Sequence, residues 1–283
     1  MSVPSLWRCG RYTLSFDVPA IMAIINVTPD SFSGDGLSGS RDAAMCQGEA
    51  AIREGAAILD LGGESTRPGS ESVPVQEELD RVMPALEALV SLGVPVSVDT
   101  VKPEVMQAAI RAGAAIINDI NALRAPGAEQ LVAQSDVGVC LMHMQGAPRS
   151  MQVAPQYQDV VKEVEAFLQE RCAALMAQGV AADRLCVDPG FGFGKTLEHN
   201  LQLFKALPEL CARRWPVLVG VSRKTMLGKL TGRDVNQRVF AGATAAVLAA
   251  QRGAAILRVH DVAATRDALS VWAAIERDRI NAY

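Results

Sequence analysis

Eight polar clusters recur along the chain, each directly after a short apolar run. They are Asn26, Asp60 with the GGESTRPG loop behind it, Asp99, Asn118-Asp119, His143, Asp188, Ser222-Arg223-Lys224, and Arg258 with His260. They divide into two chemical sets. Asp99, Asn118 and Asp188 suit a flat heterocycle carrying adjacent N–H, NH2 and C=O groups. A carboxylate facing an aminopyrimidinone accepts two parallel hydrogen bonds, and each such group left unpaired in a dry cavity costs about 1–3 kcal/mol. Arg67, Lys224, Arg258 and His260, with Asn26 nearby, suit a phosphate or diphosphate, with Mg2+ as a bridge. A heterocycle at the floor and an anion at the lip describe one elongated substrate. A single Asp or Asn after a strand is an ordinary helix cap; eight polar strand ends in succession are not explained by capping.

The elements that must position these residues are legible from the apolar runs. The runs are IMAIIN (21–26), AAILDL (56–61), VPVSVD (94–99), AAIIND (114–119), VGVCLM (137–142), RLCVD (184–188), PVLVGV (216–221) and AAILRV (254–259). They are continuously apolar rather than alternating, which predicts parallel strands covered on both faces. Amphipathic segments of helical length lie between them, clearest at Gln76–Ser91, Lys102–Ala112, Tyr157–Gln178, Asn200–Arg213 and Asn236–Gln251. Gly55, Gly93, Gly113, Gly179 and Gly253 each follow a helical stretch and mark its end. Eight β-then-α units predict an α/β fold, a (β/α)8 TIM barrel, whose chemistry gathers at the C-terminal mouth. A doubly wound sheet would carry a glycine-rich dinucleotide loop after its first strand, where this chain has NVTPDSFSGDG. The opening LWRCGRYTLSF reads as a short N-terminal hairpin around Cys9-Gly10-Arg11, covering the barrel bottom. No linker divides the chain, so residues 1–283 are expected to form one domain.

Composition narrows the function. Of 283 residues, 49% are hydrophobic and 20% charged, ample for a core. The 27 Lys and Arg against 31 Asp and Glu give a net charge of −4, which argues against a nucleic-acid face and makes the cationic set local. Six cysteines lie scattered without a C-x-x-C pair, which fits a reducing compartment. With neither a signal-peptide pattern nor an apolar run long enough for a span, the expectation is a cytoplasmic protein that does not engage a membrane. DPGFGFGKT looks like a phosphate loop, but that loop needs glycine where Pro189 stands. Its glycines are expected to give a mobile, close-approach loop, with Phe191 and Phe193 offering aromatic faces to a second substrate. His143 reads as a hydrogen-bonding residue rather than a metal ligand, His199 as a surface residue near a helix start, and Arg223 as a charged residue at a helix N-terminus. Ser222 is expected to begin a helix whose N–H groups could bind a carboxylate.

The segments NVTPDSFSGDG, DLGGESTRPGS, VSVDT, INDI, LMHMQGAPRSMQ, DPGFGFGK, GVSRK and RVHD resemble, in order and spacing, those of the dihydropteroate synthases, from about Ile21 to Asp261. The resemblance implies a folate-pathway transferase joining 6-hydroxymethyl-7,8-dihydropterin diphosphate to 4-aminobenzoate. It implies that Asp99, Asn118, Asp188, Lys224 and Met142 hold the pterin, and that Thr66, Arg258 and His260 hold the diphosphate. Asn26 would ligate Mg2+, with Asp30 or Asp35 as the loop carboxylate near it. Phe32, Arg67, Pro68, Phe193 and Ser222 would surround the 4-aminobenzoate. Lys224, Arg258 and His260 would be the catalytic residues, in an SN1-like displacement that needs no strong general base. A homodimer and sulfonamide sensitivity are also properties of that family. Two other functions remain conceivable: a catalytically silent pterin-binding regulator, and a corrinoid-dependent methyltransferase. The retained Arg67, Phe193, Lys224, Arg258 and His260 speak against the first, and the lack of room for a cobalamin module against the second.

Overall fold

The apolar runs become strands because each is covered on both faces, by helices outside the barrel and by the other strands within it, so no strand needs a polar face. The computed structural model describes residues 6–27, 36–65, 70, 72–147, 149–276 and 283, with side chains left out at 36–40. A hairpin of β1 (Leu6–Cys9) and β2 (Tyr12–Ser15) is followed by β3 (Ala20–Asn26), α1 (Gly36–Arg53), β4 (Ile58–Gly62), α2 (Val75–Val90), β5 (Val96–Asp99) and α3 (Pro103–Arg111). Next come β6 (Ile116–Asp119), α4 (Ala128–Ala133), β7 (Gly138–Met142), α5 (Val160–Ala177), β8 (Leu185–Asp188), α6 (Leu197–Lys205) and α7 (Leu207–Cys211). The chain ends with β9 (Leu218–Val219), α8 (Thr225–Thr231), α9 (Val239–Gln251), β10 (Ile256–Val259) and α10 (Val262–Glu276).

The eight strands β3 to β10 are parallel, in the order β8-β7-β6-β5-β4-β3-β10-β9. The ring closes where Val187 bridges Val217 and donates its N–H to the Pro216 carbonyl at 3.0 Å. This is the expected (β/α)8 barrel, with a strand in each predicted run. The five glycines predicted to end helices all take left-handed backbone, with φ from 78° to 106°, which turns each chain end back toward the next strand. The predicted helix over Asn200–Arg213 is instead two: Ala206 closes α6 and opens α7, and Pro208 in the first turn of α7 cannot continue the earlier hydrogen-bond ladder.

The main core lies between the barrel and its helices. A second cluster fills the barrel bottom, where Trp7 and Cys9 of the hairpin pack with Met22, Ile58, Ile116 and Cys186. The hairpin therefore covers the bottom as expected, and chemistry is left to the opposite end.

Candidate functional site

At the C-terminal mouth, the side chains at the strand ends meet. Asp60 on β4 is fully buried, and a buried carboxylate demands a partner. It receives the Arg258 Nε–H at 2.6 Å, while another Arg258 nitrogen donates to Asp99 Oδ2 at 2.9 Å. Asn118 Nδ2 reaches the two Asp60 oxygens at 3.4 and 3.5 Å. One guanidinium from β10 thus joins β4 and β5, and Asp60 in turn joins β6. Burial lowers the tendency of Arg258 to stay charged, but Asp60 and Asp99 more than offset this and hold its pKa above the ordinary arginine range.

Asp99 keeps bonding capacity in reserve. Its Oδ1 is buried and has no hydrogen-bond partner among the described residues. Burial pushes its pKa up to about 7 against the pull of Arg258. A buried acceptor of this kind is favourable for an incoming N–H donor to meet. Asp99 also lines a cavity of about 270 Å³ with Glu64, Thr100, Ile120 and Met144.

On the other flank, Asp188 ends β8 and accepts the Gly190 N–H at 2.7 Å. Burial raises its pKa, opposed by Lys224 and by that N–H. Lys224 follows β9, donates from Nζ to the Phe191 carbonyl, and stands 4.5 Å from the centre of the Phe193 ring. Burial lowers its pKa to about 8. Met142, 3% exposed, clusters with Ile120, Met144 and Met151, against which Phe193 packs. That cluster forms an apolar wall beside the charged floor. His260 and Ser222 meet at the rim, where both the His260 backbone N–H and its Nδ1 lie 3.2 Å from Ser222 Oγ. Asn26 ends β3 with its Oδ1 facing Gly62: a Cβ at residue 62 would lie 3.6 Å from that oxygen and 3.9 Å from the Asp99 Cβ.

Asp99, Asn118, Asp188, Lys224 and Arg258 therefore converge, with Asn26, Met142, Phe193, Ser222 and His260 around the same mouth. Phe32, Thr66, Arg67 and Pro68, with Asp30 and Asp35, lie outside the described residues. Several expectations need correction. Phe191 offers no face to a ligand: it is fully buried, its ring centre 5.7 Å from that of Phe204, so of the two only Phe193 lies at the mouth. Ser222 does not begin a helix; α8 starts at Thr225, with Lys224 as its cap. His199 is half-buried and closes a capping box with Thr196 at the start of α6. Arg223 lies outside that helix too, and is tied to Asp261 with Nε 3.1 Å from Oδ2.

Asn118 and Asp119 part company: Asn118 faces Asp60, whereas Asp119 accepts the Asn121 and Leu123 N–H groups at 2.7 Å each and shapes the turn. His143 hydrogen-bonds as expected, its Nδ1 lying 3.0 Å from Lys195 Nζ. Asp60 is the residue that sequence reasoning left without a role. Its signal was a carboxylate inside the apolar run AAILDL, which has to be paired once that run is buried.

The chain is similar to known proteins over nearly its whole length. A family profile described as pterin binding enzyme matches residues 22–260. A dihydropteroate synthase of Neisseria meningitidis serogroup C is 50% identical over 275 residues, covering 95% of this chain and 97% of its own. Dihydropteroate synthase of Xanthomonas albilineans, solved with 4-aminobenzoic acid, superposes with a TM-score of 0.90 at 53% identity, covering 96% of this chain and 98% of its own. The Burkholderia cenocepacia enzyme, complexed with 7,8-dihydropteroate, gives 0.89 at 50% identity, covering 99% and 100%.

Proposed function

The chain belongs to the pterin-binding enzyme family, among its dihydropteroate synthases, and on that premise we propose how its residues divide the work of condensing 6-hydroxymethyl-7,8-dihydropterin diphosphate with 4-aminobenzoate. The observation that carries the assignment is the buried floor in which Arg258 bridges Asp60 and Asp99 beneath Asn118 and beside Asp188. The Xanthomonas and Burkholderia relatives, with 4-aminobenzoic acid and 7,8-dihydropteroate bound, support both ends of the reaction.

Asp99, Asn118 and Asp188 take the pterin edge, the unpartnered Asp99 oxygen receiving one of its N–H groups. Met142 lines the ring slot and Lys224 contacts the ring. Thr66, Arg258 and His260 hold the diphosphate; with two nitrogens committed to Asp60 and Asp99, Arg258 meets the anion through its remaining terminal nitrogen. Phe32, Arg67, Pro68, Phe193 and Ser222 surround the 4-aminobenzoate. A sulfonamide would compete in that last pocket.

The C–O bond to diphosphate breaks first, and the electron pair leaves with the diphosphate. The methylene cation left behind delocalises into the dihydropterin ring. The carboxylates of Asp99 and Asp188 offer an anionic face that favours this cation. The aromatic amine then donates its lone pair to form the C–N bond and loses a proton to solvent. No strong base is required, because the amine is already a nucleophile near neutral pH. The chain's task is to hold the amine in line and keep water from trapping the cation.

Asn26 fits Mg2+ as a single hard oxygen ligand at the mouth. Among the described residues no group of three His, Cys, Asp or Glu side chains could hold a metal. Such a site suits an ion held mainly by water and substrate phosphates, which is how Mg2+ is commonly bound. When bound, the ion would neutralise charge on the leaving diphosphate.

A homodimer belongs to the same proposal. Phe240, Leu248, Val271 and Ile275 are exposed on the neighbouring helices α9 and α10, and an exposed apolar patch of this kind marks interaction surfaces. Light scattering should give twice the 30.0 kDa chain mass. No helix among the described residues is long and apolar enough to cross a membrane. The function is tested by supplying both substrates and following diphosphate release: release should require 4-aminobenzoate, and release without it, or none with it, would refute the assignment.

A further inference from the structure

The Gly194-Lys195-Thr196 triplet, rejected above as part of a phosphate loop, carries an ammonium that no catalytic step uses. Lys195 is 3% exposed. Its Nζ lies 2.9 Å from the Gly190 carbonyl oxygen, 3.0 Å from that of Phe193, 3.3 Å from that of His143, and 3.0 Å from His143 Nδ1. Burial lowers the Lys195 pKa to about 7, opposed by Asp188; in its ammonium form it has three protons and accepts nothing, so these four acceptors engage it fully. Facing the ammonium form, the ring accepts at Nδ1 and carries its proton on Nε2. Burial, then the charge of Lys195, pulls the His143 pKa down to about 3, which keeps the ring neutral. A ligand phosphate at the mouth has no approach to an ammonium enclosed in this way.

What Lys195 ties down is the loop between β8 and α6. That loop lies flat on the backbone after β7: a Cβ on Gly190 would stand 1.9 Å from the His143 carbonyl oxygen, and one on Gly194 would stand 2.4 Å from that of Gln145. Far from being free-standing, the loop is also held from outside, where the Tyr157 hydroxyl donates to the Gly194 carbonyl at 2.8 Å. Three contacts of the site originate in it. Gly190 N–H orients Asp188, the Phe191 carbonyl receives Lys224 Nζ, and the Phe193 ring faces the same ammonium.

We propose that Lys195 is a positioning residue for the amine-substrate side of the site: by tying Gly190 and Phe193 to His143, it holds the Phe193 ring and the Phe191 carbonyl against Lys224. The proposal rests on the dihydropteroate synthase reading and adds to it a residue that touches neither substrate. Its position explains why a lysine is needed there. Three convergent backbone carbonyls and a ring nitrogen form a cage of acceptors, and only a multivalent donor satisfies them in the absence of water.

The test pairs steady-state kinetics with calorimetry. Wild-type enzyme is assayed first, and failure to release diphosphate with 4-aminobenzoate would overturn the functional reading rather than this one. Lys195→Met keeps the length and removes the donors. Its KM for 4-aminobenzoate should rise about tenfold or more, the loss of a charge-assisted hydrogen bond. Its calorimetric affinity for diphosphate-free pterin should fall by a smaller factor than that KM rises, because Asp188 and Lys224 stand at strand ends outside the loop whereas Phe193 is part of it. Equal losses at both substrates, or an unchanged KM, would overturn the proposal. If Lys195→Met does not fold, Tyr157→Phe loosens the same loop from outside the site. It should raise that KM about two- to fivefold, one neutral hydrogen bond's worth, with a smaller loss of pterin affinity; an unchanged KM would again overturn it.

Discussion

The two ends of the barrel bury polar groups in opposite ways. At the bottom, the Trp7 indole N–H donates to the Arg184 carbonyl at 2.9 Å. Arg184 itself, 5% exposed, donates to the Val137 and Val132 carbonyls at 2.9 and 2.8 Å. Cys140 and Cys186 fill the remaining space as small apolar residues. At the mouth, the same strands end in Asp60, Asp99, Asn118, Asp188 and Arg258, and one Asp99 oxygen has no partner among the described residues. The bottom satisfies each of these donors within the fold and thereby contributes stability. The mouth leaves an acceptor available beside the cavity, where an incoming donor could use it. A barrel can place the two side by side because strand length separates them.

Breaking the bottom should give the largest effect. Trp7→Ala should destabilise the protein by about 3–5 kcal/mol in denaturant unfolding, while leaving both KM values within about twofold, since Trp7 packs in the cluster at the opposite end of the strands. A parallel loss of substrate affinity would show that the ends are coupled. Breaking the mouth should reverse the pattern. Asp188→Ala should weaken pterin binding at least about 100-fold, roughly 2.7 kcal/mol, seen as loss of calorimetric heat; retained micromolar binding would contradict the floor assignment.

Arg258→Ala sharpens the boundary between floor and lip. It should weaken the diphosphate substrate about tenfold more than diphosphate-free pterin, the worth of one charge-assisted contact. Equal losses would mean that Arg258 serves the carboxylates alone. A smaller effect is expected from pH. The cationic form of Lys224 is the one that faces the substrate, and with a pKa of about 8 it is lost as pH rises through that value. The ratio of wild-type to Lys224→Met affinity for the diphosphate substrate should therefore fall about fourfold between pH 7 and 8.5; a flat ratio would show that the ammonium does not contribute. Smallest of all should be Arg8→Ala, which cuts the exposed pair with Asp183 at the bottom and should cost under about 1 kcal/mol.

The strands were legible because each is a continuous apolar run, and the helix ends because glycine marks them. The split between α6 and α7 was less so: Pro208 was visible in the sequence, but the amphipathic pattern ran through it. Strand-end residues announced the site as a set, though not their directions. Asn118 and Asp119 are adjacent and chemically alike, yet one turns into the barrel and the other into a turn. Phe191 and Phe193 are two residues apart in one motif, yet only Phe193 stays at the mouth.

Type, order and periodicity by themselves determined that eight strands alternate with helices, that polar residues crowd one end of them, and that the segments carrying these residues resemble a pterin-binding family. Only the tertiary structure decided that Arg258 bridges Asp60 and Asp99, that one Asp99 oxygen finds no partner among the described residues, and that Lys195 turns inward to carbonyls. Periodicity reports burial, which is local and read along one chain segment. Pairing of buried charges is a contest among groups brought together from distant strands, and its outcome is set by distances that only the closed barrel creates.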